Sequence, residues 1–171
     1  MKDFFQIRKA EAGDWPALWQ ILLPVFKKGE TYPHPMNISE EEAFSYWMKS
    51  PEAAFLACDK DDRILGTYYL KPNQPGLGSH VCNCGYAVAE AARRRGIARR
   101  LCAHSLDEAR KRGYRAMQFN FVVSTNIPAV TLWKQMGFQL IGTLPKAFHK
   151  QGKEFVDALV MFQSLTDNDR S

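Results

Sequence analysis

The 171-residue chain contains 46% hydrophobic residues and carries a formal net charge of +5. This length can bury a hydrophobic core without disulfides or a metal, so we interpret residues 1–171 as a single domain. The positive charge favours an anionic partner, which could be a phosphorylated cofactor, a nucleic acid or an acidic surface. The N-terminus lacks the apolar core of a signal peptide and no apolar run is long enough to span a membrane, which predicts a cytoplasmic protein.

The first elements are a short strand and a helix. Phe5–Arg8 has the pattern of a strand, and Asp14 precedes an amphipathic segment that begins at Trp15 with Pro in its first turn. This arrangement predicts a helix capped by Asp14. Pro24 should bend or end that helix, because proline cannot donate a backbone hydrogen bond.

A second helix and a hairpin should follow. Ser39 and Glu42 have the spacing of a capping box, which predicts a helix through Met48 that forms a lid together with the first helix. Two strand-like runs joined by a four-residue turn then predict a β-hairpin, and these runs are Ala53–Cys58 and Ile64–Lys71.

The centre of the chain predicts a β-α-β unit. His80–Val88 and Arg115–Val123 read as strands, and Ile97–Arg112 between them has a helical apolar period. A crossover helix of this length makes the two strands parallel and the connection right-handed. Asn126 or Thr125 should cap a further helix that stops at Gly137. Two antiparallel strands should complete the sheet, at Phe138–Thr143 and Glu154–Phe162.

A turn between the first strand of this unit and its helix is a candidate anion site, with the sequence Arg93-Arg94-Arg95-Gly96-Ile97-Ala98. Gly96 has no Cβ and Ala98 only a methyl group, so the backbone can approach a bulky anion closely. The first turn of the following helix adds unpaired N–H groups and the positive end of the helix dipole. The alternative is a solvated basic patch.

The order of elements and two motifs resemble the GCN5-related N-acetyltransferase (GNAT) superfamily. Its pattern Gln/Arg-x-x-Gly-x-Gly/Ala after the fourth strand is matched by Arg93, Gly96 and Ala98. Its pattern Asn-x-x-Ala-x-x-Leu-Tyr-x-x-x-Gly-Phe is matched by Asn126, Ala129, Leu132, Gly137 and Phe138, with Trp133 in place of Tyr. The resemblance implies an α/β GNAT fold, a mixed, mostly antiparallel sheet of six or seven strands with a parallel, splayed central pair and about four flanking helices.

Four strings resemble a subgroup that includes the fungal N-acetyltransferases acting on azetidine-2-carboxylate and other proline analogues. They span residues 31–33, 66–76, 79–83 and 119–122. In that subgroup the asparagines that match Asn83 and Asn120 lie at the substrate, and the one that matches Asn126 lies at the cofactor.

The superfamily resemblance implies acetyl-CoA as cosubstrate. Its pantetheine arm would lie between the splayed strands like an added strand, paired with the backbone of Tyr86, Ala87 and Val88. One N–H of this stretch would polarise the thioester carbonyl. The remaining residues of the expected cofactor site are Arg93, Arg94, Arg95, Gly96, Ile97, Ala98, Asn126 and Trp133.

The resemblance assigns catalytic and acceptor-binding roles to Asn83 and Asn120. An amide can orient an amine and an oxyanion but cannot act as a base, and Asn83 could instead satisfy backbone groups of an irregular strand. Asn120 lies in an apolar run, where an unpartnered amide would be costly, so a site role suits it better. Tyr32 and His34 lie on a loop that could cover the acceptor pocket.

Trp133 stands where the superfamily has a Tyr that protonates the leaving thiolate. An indole N–H does not supply a proton, so direct attack with water-mediated proton removal is expected instead. A thiol with a pKa near ~8.5 needs only modest help to leave. Trp133 is equally explained as a core residue of an amphipathic helix.

No metal site is expected. His80, Cys82 and Cys84 alternate along one strand, and three such positions converge poorly on a tetrahedral ion. No His is placed to activate a cysteine for acyl transfer. The four cysteines contain no CxxC pair, so reduced thiols are the expectation.

The leading hypothesis is an N-acetyltransferase that moves the acetyl group of acetyl-CoA to the nitrogen of a small amine or imino acid, such as a proline analogue, in a ternary complex. The alternatives are acetylation of protein N-termini or lysines, a nucleic-acid-binding module and a non-catalytic CoA-binding module. Nucleic acid is disfavoured because the basic residues lack interleaved surface aromatics. Many relatives that the chain resembles are dimers, so a homodimer is a further expectation.

Overall fold

The computed structural model of the protein describes residues 5–166. Within this range there are seven strands and four α-helices, and a single π-helical turn, Ser45–Lys49, continues the second helix. The elements in chain order are β1 Phe5–Lys9, α1 Trp15–Lys28, α2 Glu40–Phe44, β2 Ala53–Asp59, β3 Ile64–Pro72, β4 Val81–Val88, α3 Ile97–Lys111, β5 Ala116–Val123, α4 Ile127–Gln135, β6 Gln139–Lys150 and β7 Glu154–Ser164.

The strands form one mixed sheet in the order β1-β2-β3-β4-β5-β7-β6. All neighbours are antiparallel except β4 and β5, which the crossover helix α3 makes parallel. The parallel pair is in register only at Val81–Ala116 and Cys82–Met117. Beyond Cys82 the two strands part, which confirms the splayed central pair.

Alternate residues of the central strands face two hydrophobic cores. On one side Tyr68, Cys84 and Met117 pack with α3 and with Trp133 of α4. We call this side the α3 face. On the other side Tyr69 packs with side chains of α1 and α2, and we call this side the lid face.

Helix α1 differs from the prediction at two residues. It continues through Pro24, because Leu22 and Phe26 are buried while Pro24 points to solvent, and it ends at Gly29 with φ +58°. Asp14 makes no side-chain cap. Its carboxylate instead accepts hydrogen bonds from the Arg8 guanidinium at 2.8 and 2.9 Å, and the bond with Arg8 lowers the pKa of Asp14.

The predicted capping box of α2 is present. The Ser39 hydroxyl accepts from the Glu42 N–H at 3.2 Å, and the Glu42 carboxylate accepts from the Ser39 N–H at 3.0 Å. Strand β6 is longer than predicted, because pairing with β7 resumes at Phe148–Val156 after an irregular stretch. In that stretch Lys146 has φ +50° and donates its N–H to the Asp157 carboxylate at 2.9 Å.

The helices of residues 5–166 include none that is both long enough and apolar enough to cross a membrane.

Gly85 in β4 should not tolerate a side chain. An ideal Cβ there would lie 2.5 Å from Cε1 of Tyr69, whose ring is buried against Tyr46 and Trp47. We expect Gly85→Ala to lower the free energy of unfolding by about 1–3 kcal/mol, as overpacking does. Denaturant titration measures the change. The control is Gly142→Ala in β6, where a Cβ meets nothing within 4 Å and the change should stay within about 0.5 kcal/mol. Equal effects of the two variants would contradict the packing at Gly85.

Candidate active site

The gap between β4 and β5 exposes backbone groups of β4. The Ala89 N–H donates to the Leu65 carbonyl at 2.9 Å and the Asn73 N–H to the Val81 carbonyl at 2.8 Å, so the odd-numbered residues of β4 bond to β3. The even-numbered residues therefore direct their N–H and C=O groups towards β5. Past the point where the strands part, these residues are Cys84, Tyr86 and Val88.

This direction changes the role expected for Ala87. Ala87 is the register partner of Thr67 in β3, and its carbonyl would lie 3.0 Å from a Cβ on the neighbouring Gly66. Its backbone groups thus belong to the β3–β4 ladder. Of the three residues predicted along the pantetheine arm, Tyr86 and Val88 turn backbone groups into the gap, whereas Ala87 can contribute only its methyl group.

Asn83 spans the start of the gap. Its Nδ2 donates to the Gln118 carbonyl of β5 at 2.9 Å, and its Oδ1 accepts from the Tyr69 hydroxyl at 3.4 Å. The side chain is 8% exposed. Asn83 thus satisfies a backbone carbonyl where the ladder ends. This role is the one that the sequence indicated as the alternative to binding the acceptor. The same bonds hold its amide at the mouth of the gap.

Asn120 lies on the lid face of β5, together with Gln118. Its Oδ1 accepts from Gln118 Nε2 at 2.9 Å, and its Nδ2 donates to Asn73 Oδ1 at 2.6 Å. The expectation of an amide in apolar surroundings was wrong, because Asn120 is exposed and both ends of its amide are hydrogen-bonded. Gln118 links the two predicted asparagines, since its carbonyl bonds Asn83 and its amide bonds Asn120.

The lid contributes an aromatic wall to the same face. Tyr32 donates its hydroxyl to the Tyr86 carbonyl in the gap at 2.8 Å. His34 lies 4.1 Å from Tyr46, ring centre to ring centre, and the hydroxyls of Tyr46 and Tyr69 are 2.7 Å apart. The structure therefore brings the two predicted loop residues to the mouth of the gap.

Burial sets the charge state of this wall. It raises the pKa of Tyr32 and of Tyr46, so both hydroxyls stay protonated at neutral pH. It lowers the pKa of His34, so the imidazole is neutral there. The Nδ1 atom of His34 is buried and has no hydrogen-bond partner.

Sequence reasoning missed four residues of this face, which are Tyr46, Tyr69, Lys71 and Gln118. A signal was present for one of them. Gln118 precedes the predicted Asn120 by two residues, so the two must share one face of their strand. Register then places Lys71 directly opposite Asn83.

The turn before α3 has the shape needed for an anion. Arg94 has φ +63° and Gly96 φ +75°, and the side chains of Arg93, Arg94 and Arg95 are exposed. A Cβ on Gly96 would meet nothing within 4 Å, so the space above the turn is open. Ile97 is buried and fixes the first turn of α3, whose N–H groups point out of the helix end. The residues present therefore fit a pyrophosphate.

Helix α4 supplies the last two predicted residues. Asn126 caps the helix, with its Oδ1 accepting from the Ala129 N–H at 3.4 Å. Trp133 is buried, with ring centres 4.9 Å from Tyr86 and 5.0 Å from Phe119. This packing is that of a core residue.

The cysteines are free and buried. Burial raises the pKa of Cys102 to about 12 and also raises that of Cys84, which makes both poor nucleophiles. His80 lies in the turn before β4 rather than in the strand, away from the inward-facing Cys82. Within residues 5–166 we find no group of three or more His, Cys, Asp or Glu that could hold a metal ion.

Comparisons with known proteins agree with this geometry. Residues 15–138 match the Acetyltransferase (GNAT) family. The N-acetyltransferase aca1 of Schizosaccharomyces pombe is 33% identical over 81% of this chain and 76% of its own length, in agreement with the fungal subgroup predicted from the sequence. The L-amino acid N-acetyltransferase AaaT of Escherichia coli is 28% identical, over 91% and 94% of the two chains.

A solved structure shows the same architecture. A GCN5-related N-acetyltransferase from Kribbella flavida superposes with a TM-score of 0.88 at 42% identity, covering 94% of this chain and 97% of that one. The family match spans the lid, the gap, the anion turn and α4, which are the parts described above. The chain therefore belongs to the Acetyltransferase (GNAT) family and is an acyl-CoA-dependent N-acetyltransferase that uses acetyl-CoA.

Proposed function

We propose that the enzyme acetylates the nitrogen of a small amino or imino acid by direct attack in a ternary complex. The observation that carries this proposal is the gap between β4 and β5, which lies between an anion-binding turn and a face of amides and hydroxyls. The L-amino acid specificity named for the Escherichia coli relative supports the same class of acceptor.

The cofactor side is built from backbone. Acetyl-CoA, when bound, supplies the activated acetyl group. The turn from Arg93 to Ala98 holds the pyrophosphate through helix N–H groups and arginine charge. The Tyr86 N–H and the backbone groups of Val88 hold the pantetheine amides, together with Asn126 at the start of α4. Trp133 supports Tyr86 from the α3 face and contributes no proton.

The acceptor side positions the amine. Asn83 and Asn120 orient the acceptor nitrogen from the lid face, and their mutual link through Gln118 holds both amides in fixed rotamers. Tyr32 and His34 cover the pocket and exclude water. These side chains raise the rate mainly by positioning the amine and excluding water from it. They do not act as a base, since an amide cannot take up the proton.

Gly96→Asp tests the cofactor site. It adds a side chain and a negative charge in the open space above the turn, so acetyl-CoA binding should weaken by at least about 100-fold, measured by calorimetry. The matched control is Gly113→Asp at the other end of α3, where φ is +83° and the space is also open. Unchanged binding by Gly96→Asp would overturn the cofactor assignment.

Asn83→Ala tests the acceptor side. We expect kcat to fall by about 100-fold while acetyl-CoA affinity stays within about twofold, because Asn83 positions the amine and not the cofactor. A free-thiol assay across amino acids, imino acids, peptides and aminoglycosides measures turnover, and thermal melting controls for loss of the bond to Gln118. Asn120→Ala, at an exposed position, should lower kcat/KM for the acceptor without a change in Tm. Near wild-type turnover of Asn83→Ala with the best acceptor would remove Asn83 from the mechanism.

A further inference from the structure

The lid face beside the gap carries a cation within a set of neutral polar groups. Tyr69 and Lys71 alternate along β3 and share this face, and Asn73 follows directly after the strand, where its N–H still bonds to the Val81 carbonyl. Lys71 is directly opposite Asn83, in a hydrogen-bonded register pair. Asn83, Gln118 and Asn120 supply the rest of the polar surface, and all are amides.

The side chain of Lys71 is held over two rings. Its Nζ lies 5.4 Å from the centre of the Tyr46 ring and 5.5 Å from that of Tyr69. Tyr46 and Tyr69 are tied together by their hydroxyls, and Tyr69 also donates to Asn83. The ammonium group therefore lies over these two rings, and the strand pairing sets Lys71 directly opposite Asn83.

Across residues 5–166 no carboxylate forms a salt bridge with Lys71. Its ammonium group lies over the two rings, and burial lowers its pKa. Glu42, whose charge acts on His34 of this wall, is engaged in the capping box with Ser39. A half-buried cation of this kind is stabilised by an anion that comes with a ligand.

We propose that Lys71 binds the carboxylate of the acceptor and thereby makes the enzyme selective for α-amino and α-imino acids over simple amines. The inference rests on the proposed function and names its substrate class. Lys71 takes the carboxylate from one side while Asn83, its neighbour across the strands, orients the nitrogen attached to the same Cα. The same charge repels polycationic acceptors such as aminoglycosides and polyamines.

The experiment compares acids with their carboxamides. Azetidine-2-carboxylate and L-alanine are assayed against azetidine-2-carboxamide and L-alaninamide with wild type, Lys71→Met and Lys71→Arg. Lys71→Met keeps the packing on Tyr46 and Tyr69 but removes the charge. We expect it to lower kcat/KM for the acids by roughly 10- to 100-fold, while the carboxamides change by less than about threefold. Lys71→Arg should retain part of the preference for acids.

Lys49→Met is the matched control. Lys49 also lies over a ring, 5.3 Å from the centre of Phe44, but it is exposed on the lid and does not face Asn83. Its ratio of acid to carboxamide activity should equal that of wild type. A binding measurement adds a readout without turnover: N-acetyl-azetidine-2-carboxylate, titrated into the enzyme without acetyl-CoA, should bind Lys71→Met more weakly than wild type.

The outcomes separate the two proposals. An unchanged ratio of acid to carboxamide activity in Lys71→Met, with turnover intact, overturns the role of Lys71 and leaves the proposed function standing. Acetylation of neither pair by wild type, with acetyl-CoA bound, overturns the proposed function itself.

Discussion

The active site depends on the parting of β4 and β5 after Cys82. A parallel ladder that stops inside a sheet leaves backbone N–H and C=O groups without strand partners, and such groups are costly unless something else bonds them. The protein satisfies two of them with side chains. Asn83 donates to the Gln118 carbonyl and Tyr32 donates to the Tyr86 carbonyl. The other groups that face the gap are the natural partners of an extended ligand with amides of its own.

Aromatic packing on the α3 face keeps the gap open. The ring of Trp133 lies against Tyr86 of β4 and Phe119 of β5, so it spans both strands where they separate. Phe138, just before β6, stacks on Phe119 with ring centres 4.2 Å apart. An indole N–H at position 133 can donate a hydrogen bond but supplies no proton. In the proposed mechanism the enzyme therefore relies on positioning and on solvent as the proton carrier.

The acceptor side is assembled from distant parts of the chain. The lid loop is tied to the turn between β6 and β7, because Gln151 donates its N–H to the Gly29 carbonyl at 2.9 Å and its side chain to Glu30 at 2.8 Å. This link joins the segment just before Tyr32 and His34 to the last hairpin. Lys71 enters the same space from β3. The face on which we propose that the acceptor binds is thus built by the lid, the sheet and the last hairpin together.

The sequence by itself determined the order of elements, the parallel pair, the capping residue Ser39 and the family. It narrowed the cap of α4 to Asn126 or Thr125 and predicted the anion turn. These features follow from local rules of period, capping and backbone freedom, together with two motifs at the right separation. Only the tertiary structure decided that Ala87 faces β3 while Tyr86 faces the gap, that Asn120 is exposed, and that Lys71 lies beside Asn83. The physical reason is that these facts depend on strand register and helix docking, which bring together residues far apart in the chain and which no local pattern encodes.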